Sequence, residues 1–150
     1  MKPTLLLLAT LLWLTLTESV AQTTRYVKAN ASGTNNGTSW TNAYTKLQDA
    51  LTAAQSGDQI WVAAGTYYPD EGGGKTDNDR NASLAMKNGV AIYGGFVGNE
   101  PTDYDLSLRN FTTNETILSG DIDKDNTADA ENAYHVLFNN FSSGTPLTST

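Results

Sequence analysis

The segment from Trp40 to Tyr68 constrains the fold more than any other part of this 150-residue chain. Its first half carries apolar residues at the i, i+3, i+4, i+7 spacing of one helix face: Leu47, Ala50, Leu51 and Ala54. Gly57 follows the last predicted turn, where a residue in the left-handed region commonly ends a helix. Ile60–Ala63 is then a dense β-favouring run. The segment predicts a short helix, a tight turn and a buried strand, and its residue types do not indicate catalysis.

Short apolar runs recur along the rest of the chain between polar, glycine-rich segments. The predicted strands are Arg25–Ala29, Ile60–Ala63, Ser83–Lys87, Val90–Tyr93, Thr116–Ser119 and Tyr134–Phe138. Spacing of this order is typical of stacked repeating units. A β-sandwich built from hairpins is the alternative, since Asn88–Gly89 is also typical of a hairpin turn. A β-sandwich accounts for the strands but not for the helix that precedes the first buried strand.

Nine segments in order resemble those of a known family: Leu47–Leu51, Gly57–Asp58, Ile60–Ala63, Gly65–Tyr67, Met86–Val90, Ile92–Phe96, Arg109–Asn110, Thr116–Asp121 and Asn132–Val136. The pattern resembles the amino-terminal part of secreted bacterial proteins of the pectin-lyase-like superfamily, in its Bacteroidetes-type cell-surface subgroup. The resemblance implies an all-β fold, a right-handed parallel β-helix (a solenoid) with an amino-terminal capping α-helix. It implies no single activity, because this superfamily includes lyases, hydrolases and adhesins.

On that fold we expect one continuous core, formed by Leu47, Leu51, Ile60, Val62, Ile92, Ile117 and Val136. The sequence ends at Gly144–Thr150 with neither a closing helix nor a polar last coil. Because repeat arrays need terminal caps, we expect a β-helix truncated at its carboxy end, in a chain that is a fragment. The alternative is a small protein that self-associates through its open end.

The first 21 residues are predicted to be a signal peptide, which leaves residues 22–150 as one domain. Lys2 supplies the positive start, Leu5–Leu16 the apolar core and Ser19–Ala21 a small-x-small cleavage site. The apolar run is too short for a convincing membrane span, and an uncleaved anchor helix is the alternative. We therefore expect an exported protein, extracellular or at the cell surface and associated with the outer membrane, with no membrane span after cleavage.

The amino-acid composition restricts the kinds of partner that we expect for this protein. The chain has no cysteine, so disulfides and thiolate chemistry are excluded. Its formal net charge is −7, which disfavours nucleic acid and anionic membranes and favours hard cations such as Ca²⁺. Polysaccharide, or a host or cell-surface glycan, is the expected partner. Aromatic side chains such as Trp40 and Trp61 could stack on sugars, and a buried aromatic ladder is the commoner alternative for such residues.

One acidic loop has the composition of a metal site, with carboxylates at alternating positions: Asp121, Asp123, Asp125 and Asp129. Oxygen ligands spaced in this way can converge on one Ca²⁺ ion. They match positions one, three, five and nine of the helix-loop-helix calcium loop. Asn126 replaces the glycine of position six, and Asn132 stands at position twelve with Glu131 one place early. The loop is not that motif, and a solvated acidic loop without metal is the alternative.

No catalytic residue is assigned. His135 is the only histidine and lies in a strand-like run, and no cysteine is present. The function expected is a non-catalytic secreted or cell-surface domain that serves adhesion or glycan contact. The alternative is a polysaccharide lyase or glycoside hydrolase whose catalytic coils are missing or unrecognised. Arg109 and the acidic loop could in principle form a lyase pair, but no local sequence matches a lyase signature and Arg109 is not assigned.

Overall fold

The computed structural model describes residues 22–139. The predicted signal peptide and the last eleven residues lie outside this part of the chain. The described elements are β1 (Thr24–Val27), α1 (Leu47–Ala53), β2 (Gln59–Ala63), β3 (Gly65–Tyr67), β4 (Leu84–Ala85), β5 (Ala91–Phe96), a 3₁₀ turn (Leu106–Leu108), β6 (Thr116–Leu118) and β7 (Leu137–Phe138). Between residues 22 and 139, no helix is long and apolar enough to cross a membrane.

The strands form three small sheets, in the orders β1-β2-β5, β3-β6 and β4-β7. Every strand pair is parallel, so each pair is joined through a crossover and not through a tight hairpin. In the largest sheet Arg25, Ile60 and Ile92 lie side by side. Asn88–Gly89 is not a hairpin turn, because the strands on either side of it belong to different sheets.

The predicted fold class, an all-β right-handed parallel β-helix truncated at its carboxy end, is wrong. Residues 22–139 form separate sheets of three, two and two strands with one seven-residue helix, and no solenoid of repeating coils is present among them. Strands of two or three residues make few ladder hydrogen bonds. The polar segments between them bond to themselves in turns, as Lys75 N–H does to Gly72 O. Apolar spacing was therefore a poor guide to a repeat.

The predicted helix is confirmed, and its boundaries follow from local bonding. Helix α1 ends at Ala53, and Ala54 takes an extended conformation while its N–H donates to Ala50 O. Gly57 has a positive φ of 95°, in the turn that leads into β2 and not at the helix end itself. The helix packs against β1, β2 and β4 with its buried face.

The main core lies between this helix and the sheets. Its buried members are Val27, Leu47, Ala50, Leu51, Ala54, Ile60, Val62, Tyr67 and Leu84, and Ile92 and Val136 pack against it partly buried. Ile117 was predicted to belong to this core, and that prediction is wrong because its side chain is 46% exposed. Neighbouring Leu118 packs against the core instead, since successive residues of a strand face opposite sides.

A second, aromatic core covers the other face of the largest sheet. It contains Tyr26, Trp40, Trp61 and Phe96 with Ala43 and Ala63. Trp61 and Phe96 stack with ring centroids 4.9 Å apart, and Tyr26 meets Trp40 edge-on at 4.8 Å. Buried residues of β1 and β2 therefore alternate between an aliphatic and an aromatic layer, which is why Ile60–Ala63 of β2 is a continuous apolar run.

Candidate metal site

The acidic loop follows β6 and is anchored to the protein at its start. Ile122 is only 2% exposed, and it lies between two half-buried aspartates, Asp121 and Asp123. The N–H of Asp121 donates to the Ser119 hydroxyl at 3.1 Å. The buried Ile122 side chain therefore holds the first two carboxylates against the body of the protein.

Two left-handed residues turn the loop back on itself. Lys124 and Asn126 both have φ of 62°. Asparagine tolerates this region, as expected at the sixth loop position, whereas lysine adopts it less readily. The Asn126 N–H donates to Asp121 Oδ2 at 3.0 Å, so the chain closes over its first carboxylate.

This turn brings three of the four predicted ligands together. One carboxylate oxygen from each of Asp121, Asp123 and Asp125 lies within 4.8 Å of the others. Two oxygens bound to one Ca²⁺ ion are at most about 5 Å apart, because Ca–O distances are about 2.3–2.6 Å. Asp129 is not part of this group, and its Oδ1 accepts from the Glu131 N–H at 2.9 Å.

Three oxygen atoms in this loop are buried and have no hydrogen-bond partner: Asp121 Oδ1, Asp123 Oδ1 and Asn132 Oδ1. A buried acceptor without a partner is costly, and more so when it is charged. The amide of Asn132 also donates to Thr127 O at 2.9 Å, which fixes its side chain in the loop. Asn132 was not among the predicted ligands. The sequence nevertheless places it at position twelve of the calcium-loop alignment, and its amide oxygen is a calcium ligand type.

The carboxylates of the acidic loop lie close enough together to repel one another. Burial raises the pKa of Asp123, and the neighbouring carboxylates of Asp121, Asp125 and Asp129 raise it further. A carboxyl group whose pKa is raised by neighbouring carboxylates is stabilised by a proton or by a nearby cation. A cation beside Asp123 would offset this repulsion.

The positive charge of the loop itself is engaged elsewhere. Lys124 Nζ pairs with Glu71 at 2.6 Å and lies 4.8 Å from the centroid of the Tyr68 ring. Glu71 also accepts from Lys46 Nζ at 2.7 Å, just before α1. Burial alone would raise the pKa of Glu71, but the hydrogen bonds from the two lysines hold it below its ordinary value. Glu71 thereby ties the acidic loop to the start of the helix.

A cavity of about 360 Å³ opens beside the loop, lined by Asn78, Arg80, Asp123 and Glu131. Arg80 Nε donates to Asn132 O at 2.8 Å, and its guanidinium lies 4.2 Å from the centroid of the Tyr134 ring. Arg80 therefore supports the backbone of the loop's last residues. The cavity lies beside Asp123 and is lined by one positively charged and two negatively charged side chains.

The structure does not place Arg109 or His135, the other candidates from the sequence, in a catalytic arrangement. Arg109 donates to Leu106 O and Gly94 O, and its guanidinium lies 5.0 Å from the Tyr93 and Phe111 ring centroids. His135 is exposed. The enzymatic alternative stays a prediction without an assigned residue.

Comparison with known proteins adds no identity: the chain matches no family model, no curated protein and no solved structure. The resemblance to the pectin-lyase-like superfamily therefore stays a prediction from the sequence.

Proposed function

We propose that the protein is an exported, non-catalytic binding domain whose acidic loop holds a Ca²⁺ ion and which contacts glycans outside the cell. The observation that carries the metal part is the group of carboxylate oxygens from Asp121, Asp123 and Asp125, all within 4.8 Å of one another. The oxygens of Asp121 and Asp123 without partners supply the thermodynamic reason, since a cation would satisfy both.

The donor set favours calcium over other metals. Carboxylate and amide oxygens suit hard cations, while zinc and copper prefer histidine and cysteine ligands. The chain has no cysteine, and its single histidine, His135, is exposed on a later segment. Mg²⁺ demands near-ideal octahedral geometry at about 2.0–2.1 Å, whereas Ca²⁺ accepts an irregular loop of this kind.

The proposed ion has a structural role. Bound to Asp121, Asp123 and Asp125, it would fix the loop between β6 and β7, which Glu71 already links to the region before α1. Loops of extracellular modules bind calcium with Kd of about 10⁻⁴–10⁻³ M. Such an affinity suffices outside the cell, where we expect the protein to act.

Calorimetric titration and thermal unfolding of the purified protein test the proposal. At 10 mM calcium that affinity stabilises the folded state by about 1.4–2.7 kcal/mol, and Tm rises by roughly 5–10 °C. Asp123→Ala/Asp125→Ala should abolish both the heat and the shift. Asp103→Ala/Glu115→Ala is the matched control, because it removes the same charge from two exposed positions outside the loop. Wild-type protein without heat or shift at millimolar calcium would refute the metal part.

A further inference from the structure

A second concave site lies in another part of the molecule and shares no residue with the acidic loop. It is a cleft of about 470 Å³ between the segment of residues 28–41 and the turn at residues 98–99, and we name it the Lys28 cleft. Its volume falls in the range of small-ligand sites, about 300–1,000 Å³. Its walls carry an ammonium, hydroxyl, amide and indole groups, from Lys28, Ser32, Thr41, Asn30 and Trp40.

Two hydrogen bonds join the opposite walls of the cleft. Lys28 Nζ donates to Gly98 O at 2.9 Å. The Trp40 indole N–H donates to Glu100 O at 3.1 Å, while its ring is held in the aromatic core. These bonds fix the width of the cleft without a ligand, so binding would cost little reorganisation.

The turn that forms one wall is held by its own carboxylate. The Glu100 side chain accepts from the N–H groups of Val97, Gly98 and Asn99 at 2.6, 2.9 and 3.0 Å. Gly98 has φ of 93°, and a Cβ there would lie 2.9 Å from the Cδ of Lys28. Glycine at this position therefore allows the aliphatic part of the Lys28 side chain to pack against the turn. This packing positions the Lys28 ammonium group.

The opposite wall is equally ordered. The Ala31 N–H donates to Lys28 O at 3.0 Å, and the Gly33 N–H donates to Thr41 O at 2.9 Å. The Thr34 N–H donates to the side-chain oxygen of Asn42 at 3.1 Å. The exposed side chains at positions 30, 32 and 41 consequently extend from a fixed backbone.

The charge of Lys28 selects the ligand class. An ammonium has three donors, and Lys28 forms none of the ion pairs found among residues 22–139. A carboxylate would take the remaining donors, and sugar hydroxyls would suit the neighbouring amide and hydroxyl groups. A polyanion of high charge density fits less well, since the chain carries a net charge of −7.

We propose that the Lys28 cleft binds an acidic saccharide, with its carboxylate on Lys28 and its hydroxyls on the side chains of Asn30, Ser32 and Thr41. This inference rests on the proposed function and gives the glycan contact a site and a ligand class.

Calorimetric titration of the whole protein with a tetrasaccharide containing glucuronic acid, and with maltotetraose as its neutral counterpart, tests the inference. We expect measurable binding of the acidic sugar only. Lys28→Gln should weaken it by about ten- to hundredfold, the loss expected for a hydrogen bond to a charged group. Lys28→Arg should keep most of the affinity, because the charge remains. Lys75→Gln is the matched control, since Lys75 is exposed and lies outside the cleft.

A second variant guards against misfolding of the first. Asn30 is exposed, so Asn30→Asp should leave Tm unchanged while its negative charge repels the acidic sugar. Absence of binding at 10 mM sugar, equal binding by Lys28→Gln, or stronger binding of maltotetraose would each overturn the inference. If calcium stabilises the protein but no sugar binds, only the proposed saccharide site in the Lys28 cleft is refuted. If the sugar binds but calcium does not stabilise the protein, only the proposed metal site is refuted.

Discussion

Substitution of Leu51 by alanine tests whether helix α1 is an integral part of this fold. Leu51 is 2% exposed and lies in the aliphatic core with Leu47, Ile60, Val62 and Leu84. The helix has only seven residues, too few to be stable alone in water. Its stability must therefore come from packing, and its packing should in turn stabilise the sheets.

The magnitude follows from the atoms removed. Leu51→Ala deletes three buried carbon atoms, which at about 0.8 kcal/mol each amounts to about 2.4 kcal/mol. A residual cavity of roughly 40 Å³ adds about 1 kcal/mol, at about 24 cal/mol per Å³. We therefore expect the free energy of unfolding to fall by about 3.5 kcal/mol and Tm to fall by about 10–15 °C.

Urea unfolding followed by circular dichroism measures this loss. Leu108→Ala is the control, because Leu108 is 64% exposed and loses the same atoms without leaving a cavity. The control should change stability by no more than about 0.5 kcal/mol. If the two variants lose the same free energy, or Leu51→Ala loses less than about 1 kcal/mol, the helix is a loose appendage and the reasoning fails.

Two further predictions concern ion pairs. Burial alone would raise the pKa of Asp58, but the Gln55 N–H and the Arg25 guanidinium, 2.8 Å away, hold it below its ordinary value. Its stabilisation is therefore present above the unfolded pKa of about 4 and is lost as pH falls through the lower folded-state pKa. Asp58→Asn should cost about 2–3 kcal/mol at pH 7 and much less near pH 2 by urea unfolding, and a pH-independent difference would contradict this. Glu71→Gln should weaken calcium binding about three- to tenfold by calorimetry, because Lys124, no longer held by Glu71, would compete with the cation; unchanged affinity would show that Lys124 is held by other contacts.

The sequence was a good guide wherever the relevant forces are local. Helix α1 and β2 lie close to their predicted positions, because helical spacing and β-branched runs describe single elements. The convergence of Asp121, Asp123 and Asp125 was predictable for the same reason, since one short loop supplies all three carboxylates.

The sequence did not predict which distant strands pair with one another. Gly65–Tyr67 pairs with Thr116–Leu118, and Leu84–Ala85 pairs with Leu137–Phe138, across intervals that no local pattern marks. Apolar runs separated by about the length of one β-helix turn suggested one stack of coils, whereas the strands divide among three small sheets. The core assignment of Ile117 failed through strand register, because a shift of one residue turns a side chain to the opposite face.

The Lys28 cleft illustrates the same division. No sequence pattern links Lys28, Trp40 and Gly98, and 70 positions separate the lysine from the carbonyl that accepts its hydrogen bond. Composition determined the chemistry available to this protein: oxygen ligands, no thiols and a negative charge. Tertiary structure alone decided which of those groups meet, because the contacts that build a site across distant segments depend on long-range packing and not on neighbours in the chain.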